Sequence, residues 1–163
     1  MRAQKAMPHI AMYKALGASA QTLAVSEVTT SLANGVVNGY DNTLLYAFAT
    51  QWYKEIKFVT LSAHIYQAAV VVWCKKWFDK LPPDLQKVVM TVPPGEEQKG
   101  RRMVRAMNRL LKSKYISGGV QIKSLSGGQK AAFKRATAGV EAKFRATTSG
   151  MGRKLLQVLK SAR

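Results

Sequence analysis

Apolar positions come in short runs through the first hundred residues and in longer helical stripes afterwards. Met1–Lys5 reads as the end of a strand. Pro8–Leu16 suits a helix, with proline in its first turn and Gly17 just past its end. Ala20–Ala24 is a short strand, and Ser26 is placed to cap a helix running through Ala33. Asn34-Gly35 then supplies a left-handed exit. Val36–Val37 reads as the next strand and leads into the loop Asn38–Asn42. Strand–helix–strand–helix–strand with such short connections predicts parallel strands. Ligands bind beyond the carboxyl ends of the strands in open parallel sheets. The Val25–Ser26 turn and the Asn38–Asn42 loop both fall there.

Leu44–Trp52 reads as a helix striped by Leu44, Leu45, Phe48 and Trp52. Phe58–Leu61 and Ala68–Cys74 read as strands. The second is apolar throughout and asks for cover on both faces. Lys75–Lys80 and Asp84–Met90 read as helices separated by Pro82-Pro83, and Val92-Pro93-Pro94-Gly95 breaks any helix running through it. Beyond the break, Met103, Val104, Met107, Leu110 and Leu111 mark one helix face, with Arg101, Arg105, Arg109 and Lys112 on the opposite stripe. Val120–Ile122 is a short strand after Gly118-Gly119. Phe133, Val140 and Phe144 stripe a further helix, and Leu155, Leu156, Val158 and Leu159 a last one.

Charge changes the picture. The chain of 163 residues carries a formal net charge of +18. Residues 1–98 hold only +2 of it, whereas residues 99–163 hold +16, with Glu141 their lone acid. An excess this large points to an anionic partner. The 47% hydrophobic content excludes a disordered or fibrous polymer. A single cysteine, Cys74, excludes an internal disulfide framework, and no Cys/His cluster has metal-ligand spacing. No run reaches the roughly 18 apolar residues of a membrane span. The opening residues lack the features of a signal peptide, which by itself reads as cytoplasmic. Few acids, no carboxylate pair and a Gly127-Gly128 too short for a phosphate loop argue against an enzyme. No cofactor is called for.

The run MYKALGASAQTLAVSEVTTSLANGVVNGYDN resembles the solute-binding proteins of tripartite ATP-independent periplasmic (TRAP) transporters, of the dicarboxylate-binding DctP type. That family runs arginine, helix, LGA, an SEVY-like turn into a helix, and a GVVDGQENP loop. The likeness continues through FVTLSAHIY and KKWFDKLPPDLQKVV, then more weakly through GVQIKSLS and AAFKRAT. It covers nearly the whole chain, but only the latter half of a family member.

The resemblance implies an α/β, periplasmic-binding-protein-like lobe with a parallel-strand core and C-terminal helices, part of an incomplete two-lobe fold. Residues 1–67 would form the second, ligand-binding lobe. Residues 68–98 would be a crossover strand and helices that pack on the first lobe, and 99–163 a basic long helix, a short strand and C-terminal helices. The function implied is capture of a carboxylate-bearing organic acid in the periplasm for the membrane permease subunits. The family's ligand-binding arginine falls on Arg2, where a guanidinium fork grips a carboxylate through two parallel hydrogen bonds. The asparagine of its GQEN loop falls on Asn42. The aromatic that packs on the ligand before the SEVY turn is replaced by Val25. Asn38, Tyr40, Asp41 and Thr43 depart from the family loop. A second arginine and most of the first lobe have no counterpart here, which implies a truncated product with Met1 an internal methionine and weak ligand binding.

Each residue also has a plainer reading. Arg2 is a charge near a terminus, and Asn42 a loop residue bonding its own turn. His64 reads as a packed or solvent-facing histidine, since spacing gives it no acidic partner. Cys74 reads as a buried thiol and Trp73, Trp77 and Phe78 as core. The Arg101–Lys112 stripe reads as a solvated face. The second functional reading is sequence-independent binding of nucleic acid or another polyanion by residues 99–163. No recognisable nucleic-acid motif supports it, and few aromatics interleave with the cations.

Overall fold

The computed structural model describes residues 1–161. Strand β1 (Arg2–Ala3) runs into helix α1 (Met7–Ala15), which Pro8 opens and a left-handed Gly17 closes. Strand β2 (Gln21–Thr22) pairs with β1 in parallel. Helix α2 (Val28–Ala33) follows a 3₁₀ turn at Val25–Glu27, and a left-handed Gly35 ends it. Ser26 is therefore not the cap. The Glu27 carboxylate accepts from the Ala24 amide instead, at 2.8 Å.

Val36–Val37 is not a strand. The Val37 amide turns back to the Ser31 carbonyl of α2 at 3.2 Å and so is lost to a ladder. The next residues still lie beside β1, whose Arg2 amide donates to the Gly39 carbonyl at 2.7 Å. Thr43 caps α3 (Leu44–Ala49) by accepting from the Tyr46 amide. This helix stops short of Trp52, because Gln51 is left-handed and a 3₁₀ turn, Trp52–Glu55, swings the indole inward.

Strand β3 (Phe58–Leu61) pairs in parallel with β4 (Gln121–Ser124), so the two strand pairs are separate and both parallel; the short connections predict this for β1 and β2, whereas residues 62–120 separate β3 from β4. Ala68–Cys74 forms no strand. Val70, Val71 and Val72 lie 76–83% exposed, and Cys74 is exposed rather than buried. A strand requires a neighbour to hydrogen-bond, and none reaches this run among the described residues. Trp73 and Trp77 stack loosely on each other at 5.9 Å and stay half-exposed, so they are not core. Helices α4 (Lys75–Phe78) and α5 (Pro83–Met90) follow, and the diproline break separates them from α6 (Glu96–Ser117).

The cationic stripe of α6 is solvated. On its apolar side Leu111 is buried while Met103, Val104 and Leu110 are exposed. The stripe of Phe133, Val140 and Phe144 spans two helices, α7 (Gly127–Ala136) and α8 (Gly139–Thr147), divided at Thr137-Ala138. Helix α9 (Gly150–Ser161) ends the described chain.

Two small buried clusters hold the fold. Ala3, Met12 and Tyr13 join β1 to α1, with Val140 of α8 packed against them. Val28, Ala47 and Trp52 join α2, α3 and the 3₁₀ turn. Tyr115, fully buried on α6, donates to the Leu44 carbonyl at 2.9 Å and ties the long helix to α3.

Candidate functional site

The loop from Asn38 to Thr43 is pinned at both ends, by the β1 hydrogen bond at Gly39 and by the Thr43 cap of α3. One wall of a cleft of about 630 Å³ is built from this loop. Asn42, Asp41, Lys57, Ser62 and His64 supply its polar lining, and Met12, Leu44 and Phe133 part of its apolar lining. That size and mixture suit a small organic molecule.

Asp41 is the hub. Its Oδ1 accepts from His9 Nε2 at 2.7 Å and from the Tyr13 hydroxyl at 2.9 Å, while its Oδ2 meets His64 Nε2 at 3.3 Å. His9 and Tyr13 sit four residues apart on one face of α1, so the helix presents both donors together. Burial alone would raise the Asp41 carboxyl, but the hydrogen bonds from His64, Tyr13 and His9 outweigh it and hold it below the usual carboxylate range. Burial, and then the Asp41 charge, push the Tyr13 phenol well above its ordinary value. The aspartate is thus an anion at neutral pH and Tyr13 a fixed donor.

Arg2 is 4% exposed. Its guanidinium donates to the Leu23 carbonyl at 3.2 Å and lies over the Trp52 ring, 5.5 Å from the centroid. Its Nε is buried without a partner, as is the hydroxyl of Tyr40, whose ring packs edgewise on Trp52 at 5.1 Å. Burial raises the Tyr40 phenol as well. Val25 is 46% exposed, two residues beyond the Leu23 carbonyl. Asn42 is half-buried, lines the cleft and bonds its own turn through the Thr43 amide at 2.8 Å. Arg2 is thus brought to Trp52, and Val25 follows the segment whose Leu23 carbonyl Arg2 holds. Asn42 shares the loop that β1 holds, but the Arg2 side chain does not line the cleft that Asn42 lines.

His64 has the acidic partner that spacing could not supply, because Asp41 reaches it from 23 residues away in the chain. The contribution of His9 and Tyr13 was not read from the sequence at all. Their four-residue spacing on α1 was the available signal. Among the described residues no group of His, Cys, Asp and Glu is arranged to hold a metal ion. No described helix is long and apolar enough to cross a membrane.

The profile of the bacterial extracellular solute-binding protein family 7, DctP, matches residues 1–147. The chain belongs to that family. It is 36% identical over 86 residues to the C4-dicarboxylate-binding periplasmic protein DctP of Rhodobacter capsulatus, an alignment covering 53% of this chain and 26% of that protein. It is 27% identical over 151 residues to the ectoine/5-hydroxyectoine-binding periplasmic protein UehA of Ruegeria pomeroyi, covering 91% of this chain and 44% of the relative. The crystal structure of a TRAP periplasmic solute-binding protein from Sulfurospirillum deleyianum, with bound succinate, superposes with a TM-score of 0.84 at 26% identity. That match covers 99% of this chain and 53% of the other. The chain thus spans less than half the length of the curated relatives it matches, and about half of that solved chain. The α/β, periplasmic-binding-protein-like fold class stands.

Proposed function

We propose that this chain is a solute-binding element of a TRAP transporter, holding a carboxylate-bearing organic acid for membrane permease subunits. The observation that carries the proposal is the buried Arg2 guanidinium with an unpartnered Nε. A buried cationic donor without an acceptor costs free energy, and an anion that supplies the acceptor recovers it. The family loop and turn would add Asn42 and Val25 as accompanying contacts, which requires the ligand to reach Arg2 from the cleft that Asn42 lines, with Val25 offering less area than an aromatic. The site acts by binding rather than by chemistry. Residues 1–67 are the ligand-binding lobe in this reading. Residues 68–98 are the crossover segment, extended but unpaired here, and helices that would pack on the first lobe, and 99–163 the long helix, short strand and C-terminal helices. Its work in this reading is periplasmic, in keeping with the periplasmic relatives it resembles.

The test is a titration of the chain with succinate, followed by amide resonances in solution NMR. Shifts at Arg2 and Asn42 with a millimolar midpoint are expected, since the contacts come from one α/β unit. Arg2→Lys should weaken binding about tenfold, because lysine offers a point charge in place of a fork. Saturating succinate without any shift at either residue would remove the proposal.

A further inference from the structure

Two histidines face one carboxylate, yet only one of them is free to take a second proton. His9 Nδ1 accepts from the Gln4 backbone amide at 3.1 Å. An amide N–H can only donate, so that nitrogen is held as a lone pair and the ring proton sits on Nε2, aimed at Asp41 Oδ1. A second proton on His9 would break the Gln4 bond. His64 Nδ1 instead meets the Ser62 hydroxyl at 2.6 Å. A hydroxyl donates or accepts by rotating, so His64 can gain a proton on Nδ1 while Nε2 keeps its contact with Asp41.

The backbone supports this arrangement. Ala63, between Ser62 and His64, is left-handed at φ 50, a conformation uncommon for a residue with a Cβ, and it turns the imidazole back over Ser62. Phe133 of α7 covers the ring, with centroids 5.2 Å apart. From α1, Tyr13 and His9 face His64 across Asp41, and Lys57 and Glu55 line the cleft that His64 shares. Lys112 of α6 lines the adjoining cleft, where Asn42, Asp41 and His64 also meet.

We propose that His64, Asp41 and Ser62 form a one-proton clasp, in which His64 takes the proton and Asp41 passes the effect to the loop carrying Asn42. The clasp joins α1, the Asn38–Thr43 loop and the turn after β3. Mild acidification adds a positive charge to His64 opposite the Asp41 carboxylate and tightens the loop. Stronger acid neutralises Asp41 and releases it. His9 serves throughout as a fixed neutral donor.

Histidine side-chain nitrogen NMR of the full chain between pH 8 and 5 tests this directly, with only two histidines to assign. His64 should pass from the Nε2–H tautomer to the imidazolium, while His9 stays a neutral Nε2–H tautomer. The amides of Asp41, Asn42 and Thr43 should shift with the same midpoint as His64. In His64→Gln, which cannot take the proton, those amide shifts should vanish. If that variant does not fold, the wild-type spectrum decides alone. Titration of both rings together, a His64 that stays neutral to pH 5, or a His64 titration without a matching loop shift would each overturn the clasp.

Discussion

Residues 1–61 and residues 62–98 are both rich in apolar side chains, yet they end in opposite states. The first segment buries Ala3, Met12, Tyr13, Val28, Val37, Ala47 and Trp52. The second buries no residue, and leaves Tyr66, Val70, Val71, Val72 and Val92 largely exposed. Apolar composition is therefore not what makes a core. In 1–61 the apolar positions recur at intervals set by short helices and strands that pack back on one another. In 62–98 an apolar strand sequence meets no partner among the described residues and stays an extended, uncovered run. Charge differs less simply. The cations of α6 to α9 lie outward, and so do Lys5, Lys14, Lys54 and Lys57 of the first segment, but that segment also draws Arg2 and Asp41 inside.

Four measurements would break or sharpen this comparison. The largest effect is expected from salt. If residues 99–163 bind nucleic acid without regard to sequence, duplex DNA retained on filters at about 50 mM salt should lose about a thousandfold in affinity by about 200 mM. No DNA affinity at moderate salt would remove that reading. Next, Trp52→Ala should cost about 3–5 kcal/mol in urea denaturation, since the indole is 1% exposed at the centre of the second cluster.

Asp41→Asn should cost about 1.5–3 kcal/mol, because it replaces a charged acceptor of three donors. The pH dependence has a definite sign. The folded Asp41 carboxyl is held low, so its contribution is present above the unfolded value of about 3.9 and is lost as pH falls through the folded one. Thermal melts from pH 6 downward should show this loss in the wild type and a flatter profile in Asp41→Asn. The smallest effect belongs to the exposed run. Val71→Ser should change stability by less than about 0.5 kcal/mol while lowering light scattering at high concentration.

Local chemistry made much of the fold legible. Pro8 and Gly17 bracketed α1, Gly35 ended α2, and Pro93-Pro94-Gly95 stopped the chain before α6, because these residues restrict or permit backbone angles wherever they occur. Register and capping were less legible. Val37 is β-branched and apolar, but its amide closes α2, and Trp52 continues the α3 stripe but follows a left-handed Gln51. Asn42 and Arg2 were named through the family loop and strand; Asn42 lines the cleft and Arg2 does not. Asp41 was seen there only as a departure, and its partners His9, Tyr13 and His64 were not connected to it.

What the sequence determined by itself is most of the helices, the parallel sense of β1 and β2, the asymmetric charge and the family, since each is written in spacings of a few residues or in a linear motif. What only the tertiary structure decided is burial and pairing. It shows that Ala68–Cys74 is bare, that Cys74 faces solvent, and that Arg2 lies over Trp52 and does not line the Asn42 cleft. It also brings His64 to Asp41 across 23 positions of chain. The physical reason is range. Backbone preference acts over a turn or two, whereas desolvation and hydrogen bonding depend on which distant surface arrives.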